Sequence, residues 1–269
     1  MQEKLILFDA HVHIYPQFDL INTINKSLLN FAKIKETNHL PNKTIKVWLL
    51  TEGQDYHFFS QEHALNNEYS IKQTGEKESL VVINNHTNKP ILYIIAGRQI
   101  VTKDKLEICA LTTLFKPKDR EFNTQDTIQS VLDLNGVAAL NWAPGKWLFS
   151  RGKIVREVIE KNNPDSLLIS ETTMRPTFWP TPSLMKIAIN MGFKVIAGSD
   201  PLPFTKEENL IGSYCSLLKG SFNTEKPADS MRHLLLDPSM SSKRLGKRSG
   251  TLTFAKRQFK IMQYNKSNT

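Results

Sequence analysis

The sequence predicts an α/β fold and, within that class, a (β/α) barrel with a β-rich insertion. Three observations predict it. Short apolar runs typical of buried strands alternate with runs at helical spacing, which is the pattern of βαβ units. The 269 residues suit one barrel domain. Residues capable of metal chemistry follow the first and the last alternating strand, and barrel enzymes build their active sites at such strand ends.

The elements follow in order along the chain. Leu5–Phe8 is an apolar strand, residues 18–35 have a helical apolar repeat, and Ile45–Leu50 is the second strand. Residues 68–115 instead hold four short β-like runs separated by turn signals, which predicts a β-rich insertion. These runs are Ile71–Gln73, Leu80–Ile83, Ile91–Ala96 and Leu106–Leu111.

Regular alternation then resumes. Helices are predicted at Thr124–Leu134, Gly152–Asn162 and Pro182–Met191, and strands at Val137–Leu140, Leu167–Ser170 and Val195–Ala197. Two or three irregular helices and a basic tail follow. We therefore expect one barrel domain over residues 1–237 and a tail over residues 238–269.

Composition and charge restrict the class of protein. No apolar run approaches the roughly 20 residues of a membrane span, and no secretory signal pattern is present, so we expect a cytoplasmic protein without a membrane partner. Cys109 and Cys215 form no CxxC pair and are expected to be reduced thiols. The net charge is +9, and no acid interrupts the cations between Lys243 and Lys260. A solvated face is the favoured interpretation of that tail, and nucleic acid binding is the alternative.

The segment Asp9-Ala10-His11-Val12-His13 is the strongest chemical signal. It directly follows the first strand, and residues i and i+2 of an extended chain point to one side. The imidazoles of His11 and His13 can therefore converge on one divalent ion, whereas the alternative is a pair of surface histidines.

Two acidic residues also follow strands. Asp200 comes after Val195–Ala197 and is expected to be a metal ligand or a general base, the alternative being a turn or helix-capping carboxylate. Glu171 ends the strand Leu167–Ser170 and is a further metal candidate, unless it is an ordinary ion-paired glutamate. Glu107 is a weaker candidate.

A third group of residues indicates an anionic substrate. Asn141 and Lys146 follow the strand Val137–Leu140, and Arg151 and Arg175 lie in loops expected at the same face. Lysine and arginine are suited to hold a phosphate or carboxylate. We expect these four residues to bind a small anionic substrate.

The order of motifs resembles the polymerase and histidinol phosphatase (PHP) superfamily, within the wider metal-dependent hydrolases. That family opens with Asp-x-His-x-His, here residues 9–13, and ends with Gly-Ser-Asp-x-His, here Gly198-Ser199-Asp200-Pro201-Leu202. The resemblance covers roughly residues 4–205. It implies either a TIM-like barrel or the distorted seven-stranded barrel of the PHP type.

The chain departs from the family pattern at four places. Thr51-Glu52-Gly53 stands for Thr-Asp-His, Gly97-Arg98-Gln99 for Gly-x-Glu, Asn141-Trp142-Ala143-Pro144 for His-Pro, and Leu202 for the last histidine. The resemblance therefore implies a reduced ligand set of His11, His13 and Asp200, with Glu171 or Glu52 as a supplement. Such a set suits one or two divalent ions, Zn²⁺ or Mn²⁺.

The leading hypothesis is a metal-dependent hydrolase of a phosphate ester or related anion, acting through a metal-activated water. Asp200 and Lys146 would be catalytic, the first as ligand or base and the second as the cation that stabilises developing charge. One alternative is an amidohydrolase acting on a C–N or lactone bond. The other is a degenerate barrel that binds a ligand or partner without turnover.

Overall fold

The computed structural model describes residues 3–61, 63, 65 and 67–267. In that part of the chain the fold is mixed α/β, with two sheets and six α-helices. The strands are β1 (Glu3–Val12), β2 (Ile45–Leu50), β3 (Tyr69–Gln73), β4 (Ser79–Asn84), β5 (Lys89–Ile95), β6 (Gly97–Val101), β7 (Glu107–Leu111), β8 (Val137–Asn141), β9 (Leu167–Thr172), β10 (Val195–Gly198), β11 (Tyr214–Ser221) and β12 (Lys243–Gly246). The helices are α1 (Leu20–Thr37), α2 (Thr124–Asp133), α3 (Phe149–Lys161), α4 (Ser183–Asn190), α5 (Pro227–Leu236) and α6 (Thr251–Ser267).

The seven-stranded sheet has the order β12-β11-β1-β2-β5-β4-β3, and the five-stranded sheet has the order β10-β9-β8-β7-β6. The pairs β1–β2, β2–β5, β8–β9 and β9–β10 are parallel, as βαβ alternation predicts. The β-rich character expected for residues 68–115 is confirmed, because β3 to β7 lie within that range.

The two sheets meet at two seams rather than through continuous ladders. Strand β11 pairs with β1 along Glu3–Phe8, and β5 pairs with β2 along Val47–Leu49, so both outer edges of the β1–β2 pair are taken. The carboxyl ends of β1 and β2 lie beyond these pairings and reach the second sheet. There the Asp200 amide donates to the His11 carbonyl (2.9 Å), and Glu52 forms an isolated parallel bridge with Arg98. The closed hydrogen-bonded barrel expected from the sequence is therefore not seen in the described residues.

The interior between the sheets is nonetheless one packed core. Phe8 and Val47 of the first sheet and Leu168 and Ile196 of the second belong to the same buried apolar cluster. Burying such side chains contributes about 1.5–3 kcal/mol each to folding. This core holds the carboxyl ends of β1 and β10 against each other, and the polar cluster described below lies there.

The C-terminal third differs most from the expected elements. Residues 214–221, expected within irregular helices, form β11 antiparallel to β1. Residues 243–246, expected in a solvated tail, form β12 on β11. The expectation of a wholly solvated tail is wrong, because Arg244 ion-pairs with a buried glutamate and Arg257 is itself buried. In the described residues, no helix combines the length and the apolar character that crossing a membrane requires.

Candidate metal centre

The histidine pair lies at the carboxyl end of β1. His11 and His13 are both buried, and their Nε2 atoms are 3.1 Å apart. The extended backbone turns both rings to one side, as the i, i+2 spacing predicts. Tyr15 continues the row, stacking on His13 with ring centroids 5.5 Å apart.

Asp200 reaches the same point from the loop after β10. Its Oδ1 lies 3.6 Å from the Nε2 atom of each histidine, while its Oδ2 accepts a hydrogen bond from Thr172 Oγ1 (2.9 Å). Strand β10 can approach β1 this closely only because Gly198 has no side chain. A Cβ on Gly198 would lie 2.3 Å from the Cβ of His11.

These atoms are arranged as the ligands of one ion are. The donor atoms of His11, His13 and Asp200 all lie within 4.8 Å of one another. Ligands bonded to one ion at about 2.0–2.1 Å, at tetrahedral or octahedral angles, are about 2.8–3.4 Å apart. The 3.1 and 3.6 Å separations are close to that range. Two imidazoles and a carboxylate suit Zn²⁺ or Mn²⁺, so the residues present fit a divalent ion.

Gln99 is a fourth group at this point, and sequence reasoning did not assign it to the site. Its side-chain oxygen lies 2.7 Å from His11 Nε2. The Gly97-Arg98-Gln99 segment could have indicated a ligand at this position. A neutral amide, however, is a less distinctive ligand than a carboxylate. In β6 Gln99 offers the cluster an oxygen without adding a negative charge.

The protonation of the histidine pair is set by burial and by Asp200. Burial opposes a charge on His11, but Asp200, Cys109 and Glu107 together outweigh it and raise the pKa of His11 to about 10. Burial and the neighbouring His11 lower the pKa of His13 to about 3. A proton on the pair therefore favours His11 over His13. Metal binding requires neutral imidazoles and would release that proton.

Two buried groups behind the histidines fix their position. Cys109 Sγ lies 3.6 Å from His11 Nδ1, the ring nitrogen that faces away from the cluster. Asp9 does not face the cluster; its Oδ1 accepts from the Ser199 amide (2.9 Å) and its Oδ2 from the Gly212 amide (2.7 Å). Asp9 therefore ties β1 to the loops after β10 and before β11. Burial raises the pKa of Asp9 to about 6.

A cavity of about 470 Å³ opens from the cluster. Its wall includes His13, Gln99 and Asp200 at one end and apolar side chains such as Leu202 and Ile261 elsewhere. A volume of this size suits a small molecule. A larger cavity of about 630 Å³ lies between α1 and β12, away from the cluster, and its lining includes neither histidine nor Asp200.

Lys146 lines the cavity, as expected from the sequence, but it has a partner there. Its Nζ lies 2.5 Å from Glu107 Oε1, and the Asn141 side chain donates to Glu107 Oε2 (2.9 Å). Glu107 therefore anchors two of the residues that the sequence assigned to the substrate.

Glu171 does not join the ligand atoms. Arg244 lies 2.7 Å from Oε1, which also accepts the Tyr214 hydroxyl, and Arg175 lies 2.6 Å from Oε2. The interactions with Arg244, Tyr214 and Arg175 outweigh burial and lower the pKa of Glu171. The expectation that Glu171 binds metal is not met by this geometry, because guanidinium groups hold both oxygens.

The two arginines expected at the substrate also lie elsewhere. Arg175 is buried against Glu171 and donates to the Trp179 carbonyl (2.8 Å). Arg151 donates to the Gly145 carbonyl (3.0 Å) from α3. Neither lines the cavity. The sequence indicated that both arginines lie near strand ends, but it could not show which partner each side chain contacts.

Comparison with known proteins finds no matching family model and no matching curated protein. The crystal structure of PsfC from Pseudomonas syringae PB-5123 aligns over 100% of both chains, with a TM-score of 0.51 and 13% sequence identity. A two-domain Bacteroides vulgatus protein containing a predicted PHP-like metal-dependent phosphoesterase aligns with a TM-score of 0.44 and 10% identity, over 90% of this chain and 65% of that one. The lesion-specific endonuclease PfuEndoQ from Pyrococcus furiosus aligns with a TM-score of 0.46 and 8% identity, over 88% and 57%. The chain resembles PsfC in fold; the lower scores of the other two do not by themselves establish a shared fold.

Proposed function

We propose that this protein is a metal-dependent hydrolase of a small anionic substrate, such as a phosphate ester. The observation that carries the proposal is the convergence of His11, His13 and Asp200 on one point at the end of a small cavity. A divalent ion held there would supply a Lewis acid that activates water for hydrolysis. Zn²⁺ and Mn²⁺ are the ions that this donor set favours.

The chain's own residues have separable roles in this proposal. His11 and His13 would hold the ion through Nε2, and Gln99 would add a neutral oxygen. Burial opposes the charge on Asp200, but His11, His13, Arg257 and Thr172 together outweigh it and lower the pKa of Asp200, so its carboxylate is better suited to a ligand than to a base. Lys146 would hold the anionic group of the substrate in exchange for Glu107.

The cavity supports a small substrate rather than a polymer. Its volume is about 470 Å³, and its lining includes Gln258 and Ile261 of α6 as well as the Glu107–Lys146 pair. The lining carries the carboxylates of Glu107, Asp119 and Asp200 against Lys146, so a divalent ion would bring the four charges and its own to about neutrality. Attraction of an anionic group would therefore come locally from the ion and Lys146, and the net charge of the lining would not oppose it.

The test is metal analysis of protein expressed with Zn²⁺ and Mn²⁺ supplied. We expect about one ion per chain, lost in a His11→Ala/His13→Ala variant and retained in a His86→Ala/His233→Ala control, whose histidines are exposed. Turnover of a panel of small phosphate esters, amides and lactones by the loaded protein then identifies the reaction. A wild type without metal would overturn the proposal, and metal without turnover of any class would favour a non-catalytic binding protein.

A further inference from the structure

The C-terminal helix α6 reaches the candidate metal centre through one buried side chain. Among the α6 residues whose side chains the structure describes, Arg257 alone is buried. Its Nη2 donates to the backbone carbonyl of Asp200 (2.6 Å), and its Nη1 donates to Thr173 Oγ1 (2.7 Å). Glu207 Oε2 lies 2.9 Å from Nη2 and balances the charge.

The residue that Arg257 contacts has an unusual backbone. Asp200 has a φ of 53°, in the left-handed region that few non-glycine residues adopt. Its amide donates to the His11 carbonyl and its carbonyl accepts from Arg257, so both peptide groups of Asp200 are held. Because the backbone sets where the side chain starts, Arg257 helps to determine where Asp200 Oδ1 points.

The rest of α6 contacts the domain through exposed or half-buried side chains, among them Phe254 against Phe178 and Tyr264 against Phe204, each with ring centroids 6.0 Å apart. Its outward face carries Leu252, Phe259 and Met262, which are 79%, 61% and 59% exposed, and its inward Gln258 and Ile261 line the cavity. Because Arg257 is the one buried side chain among the described residues of α6, its contacts contribute directly to holding the helix in place. The docking of α6 and the position of Asp200 therefore share the same guanidinium group.

We propose that Arg257 is a positioning residue for the ligand Asp200, and that docking of the C-terminal helix and metal binding are thermodynamically coupled. The proposal rests on the proposed function in requiring a divalent ion at His11, His13 and Asp200. Coupling of this kind is reciprocal: if docked α6 strengthens metal binding, bound metal strengthens docking by the same factor.

Binding of Mn²⁺ alone to the full chain, measured by calorimetry, is the first test. Residues behind metal ligands typically change affinity about 10- to 100-fold, so Arg257→Met should raise the Kd for Mn²⁺ by that factor. Lys256→Met, which removes an exposed cation from the same helix, should leave it unchanged. Glu207→Gln breaks the ion pair but keeps the Asp200 contact, and should bind Mn²⁺ nearly as the wild type does.

Two further measurements separate positioning from general stability. Guanidinium chloride at low concentration should restore Mn²⁺ affinity to Arg257→Ala, which a merely loosened fold would not show. Amide hydrogen exchange across α6 should slow when Mn²⁺ binds the wild type and stay unchanged in Arg257→Met. Where Arg257→Met is unstable, Arg257→Lys, which lacks the planar fork, gives the same comparison.

The outcomes distinguish this inference from the proposed function. A wild type that binds neither Mn²⁺ nor Zn²⁺ overturns both. A wild type that binds Mn²⁺ while Arg257→Met and Arg257→Lys bind it equally well overturns the inference alone. Unchanged exchange of α6 on Mn²⁺ binding also overturns the coupling and leaves the metal centre intact.

Discussion

Two carboxylates in neighbouring strand regions, Glu171 and Asp200, have opposite surroundings. Glu171 lies in β9, and Asp200 follows β10, the next strand in the sheet. Two arginines and a tyrosine surround Glu171, whereas Asp200 directs one oxygen at two imidazoles. The comparison teaches that a strand-end carboxylate becomes available to a metal only where no guanidinium reaches its oxygens.

Glu107 is intermediate between these two. It has a single cation, Lys146, and an amide from Asn141, and it lies on the cavity wall. Arginine binds carboxylates through a fixed fork, whereas lysine is a flexible point charge that can change partner. We call Glu171 locked, because arginines hold both of its oxygens, and Glu107 exchangeable, because a lysine holds it. We call Asp200 open, because one of its oxygens faces the two histidines.

The largest expected effect is the loss of stability when Glu171, the locked carboxylate, is changed. Glu171→Gln leaves Arg175 buried without its counter-ion, and removing one partner of a buried pair typically costs about 3–5 kcal/mol. We expect the free energy of unfolding to fall by that amount, as measured by urea denaturation. Mn²⁺ affinity of the folded variant should stay unchanged. A variant of normal stability that loses metal would instead make Glu171 a ligand.

Asp200, the open carboxylate, should lose metal affinity when it is changed, whereas Glu171 should not. Asp200→Asn keeps the size of the side chain and its oxygen for Thr172 but removes the negative ligand. We expect Mn²⁺ to bind at least about 100-fold more weakly, which is about 2.7 kcal/mol. The free energy of unfolding of the metal-free protein should also fall, because His11 loses the carboxylate that favours its protonated form. Equal metal affinity in Asp200→Asn and the wild type would remove Asp200 from the ligand set.

This contrast marks what the sequence could predict. The alternating strands and the His11–His13 pair depend on local spacing, so they could be found. Of the two arginines that hold Glu171, Arg175 is four residues away in the chain, but Arg244 is 73 residues away. Arg257, which holds the Asp200 carbonyl, is 57 residues from Asp200. No local pattern reports such pairing. The antiparallel strands β11 and β12 were missed for the same reason, because pairing between distant segments fixes them.

Lowering the pH should test the ion pairs of Glu171 directly. Arg244, Tyr214 and Arg175 outweigh burial and lower the pKa of Glu171 in the folded state below its ordinary value of 4.5. The stabilisation from its ionised form is therefore complete above pH 4.5 and is lost as the pH falls through the folded pKa. The difference in unfolding free energy between the wild type and Glu171→Gln should narrow in that range. A difference that stays constant below pH 4.5 would contradict the locked ion pair.

The smallest effect on stability is expected at Glu107, the exchangeable carboxylate, and its partner Lys146. The Lys146–Glu107 pair is partly solvated, with 27% and 12% of the side chains exposed, so Lys146→Ala should lower the free energy of unfolding by about 0–1 kcal/mol. Its effect on ligand binding should be larger. A charge-assisted contact is worth about 1.5–3 kcal/mol, and because Lys146 must first leave Glu107 we expect the low end, about tenfold weaker binding of inorganic phosphate to the Mn²⁺-loaded protein.

Glu107→Gln provides the test of opposite sign. Removing the charge of Glu107 frees Lys146, so inorganic phosphate should bind more tightly than to the wild type. The same substitution also makes the cavity more positive, and the double variant Lys146→Ala/Glu107→Gln separates the two causes. If exchange of Lys146 explains the gain, the double variant binds phosphate as weakly as Lys146→Ala does. If the double variant keeps the gain, the general field of the cavity is responsible, and Lys146 holds Glu107 in place without touching the substrate.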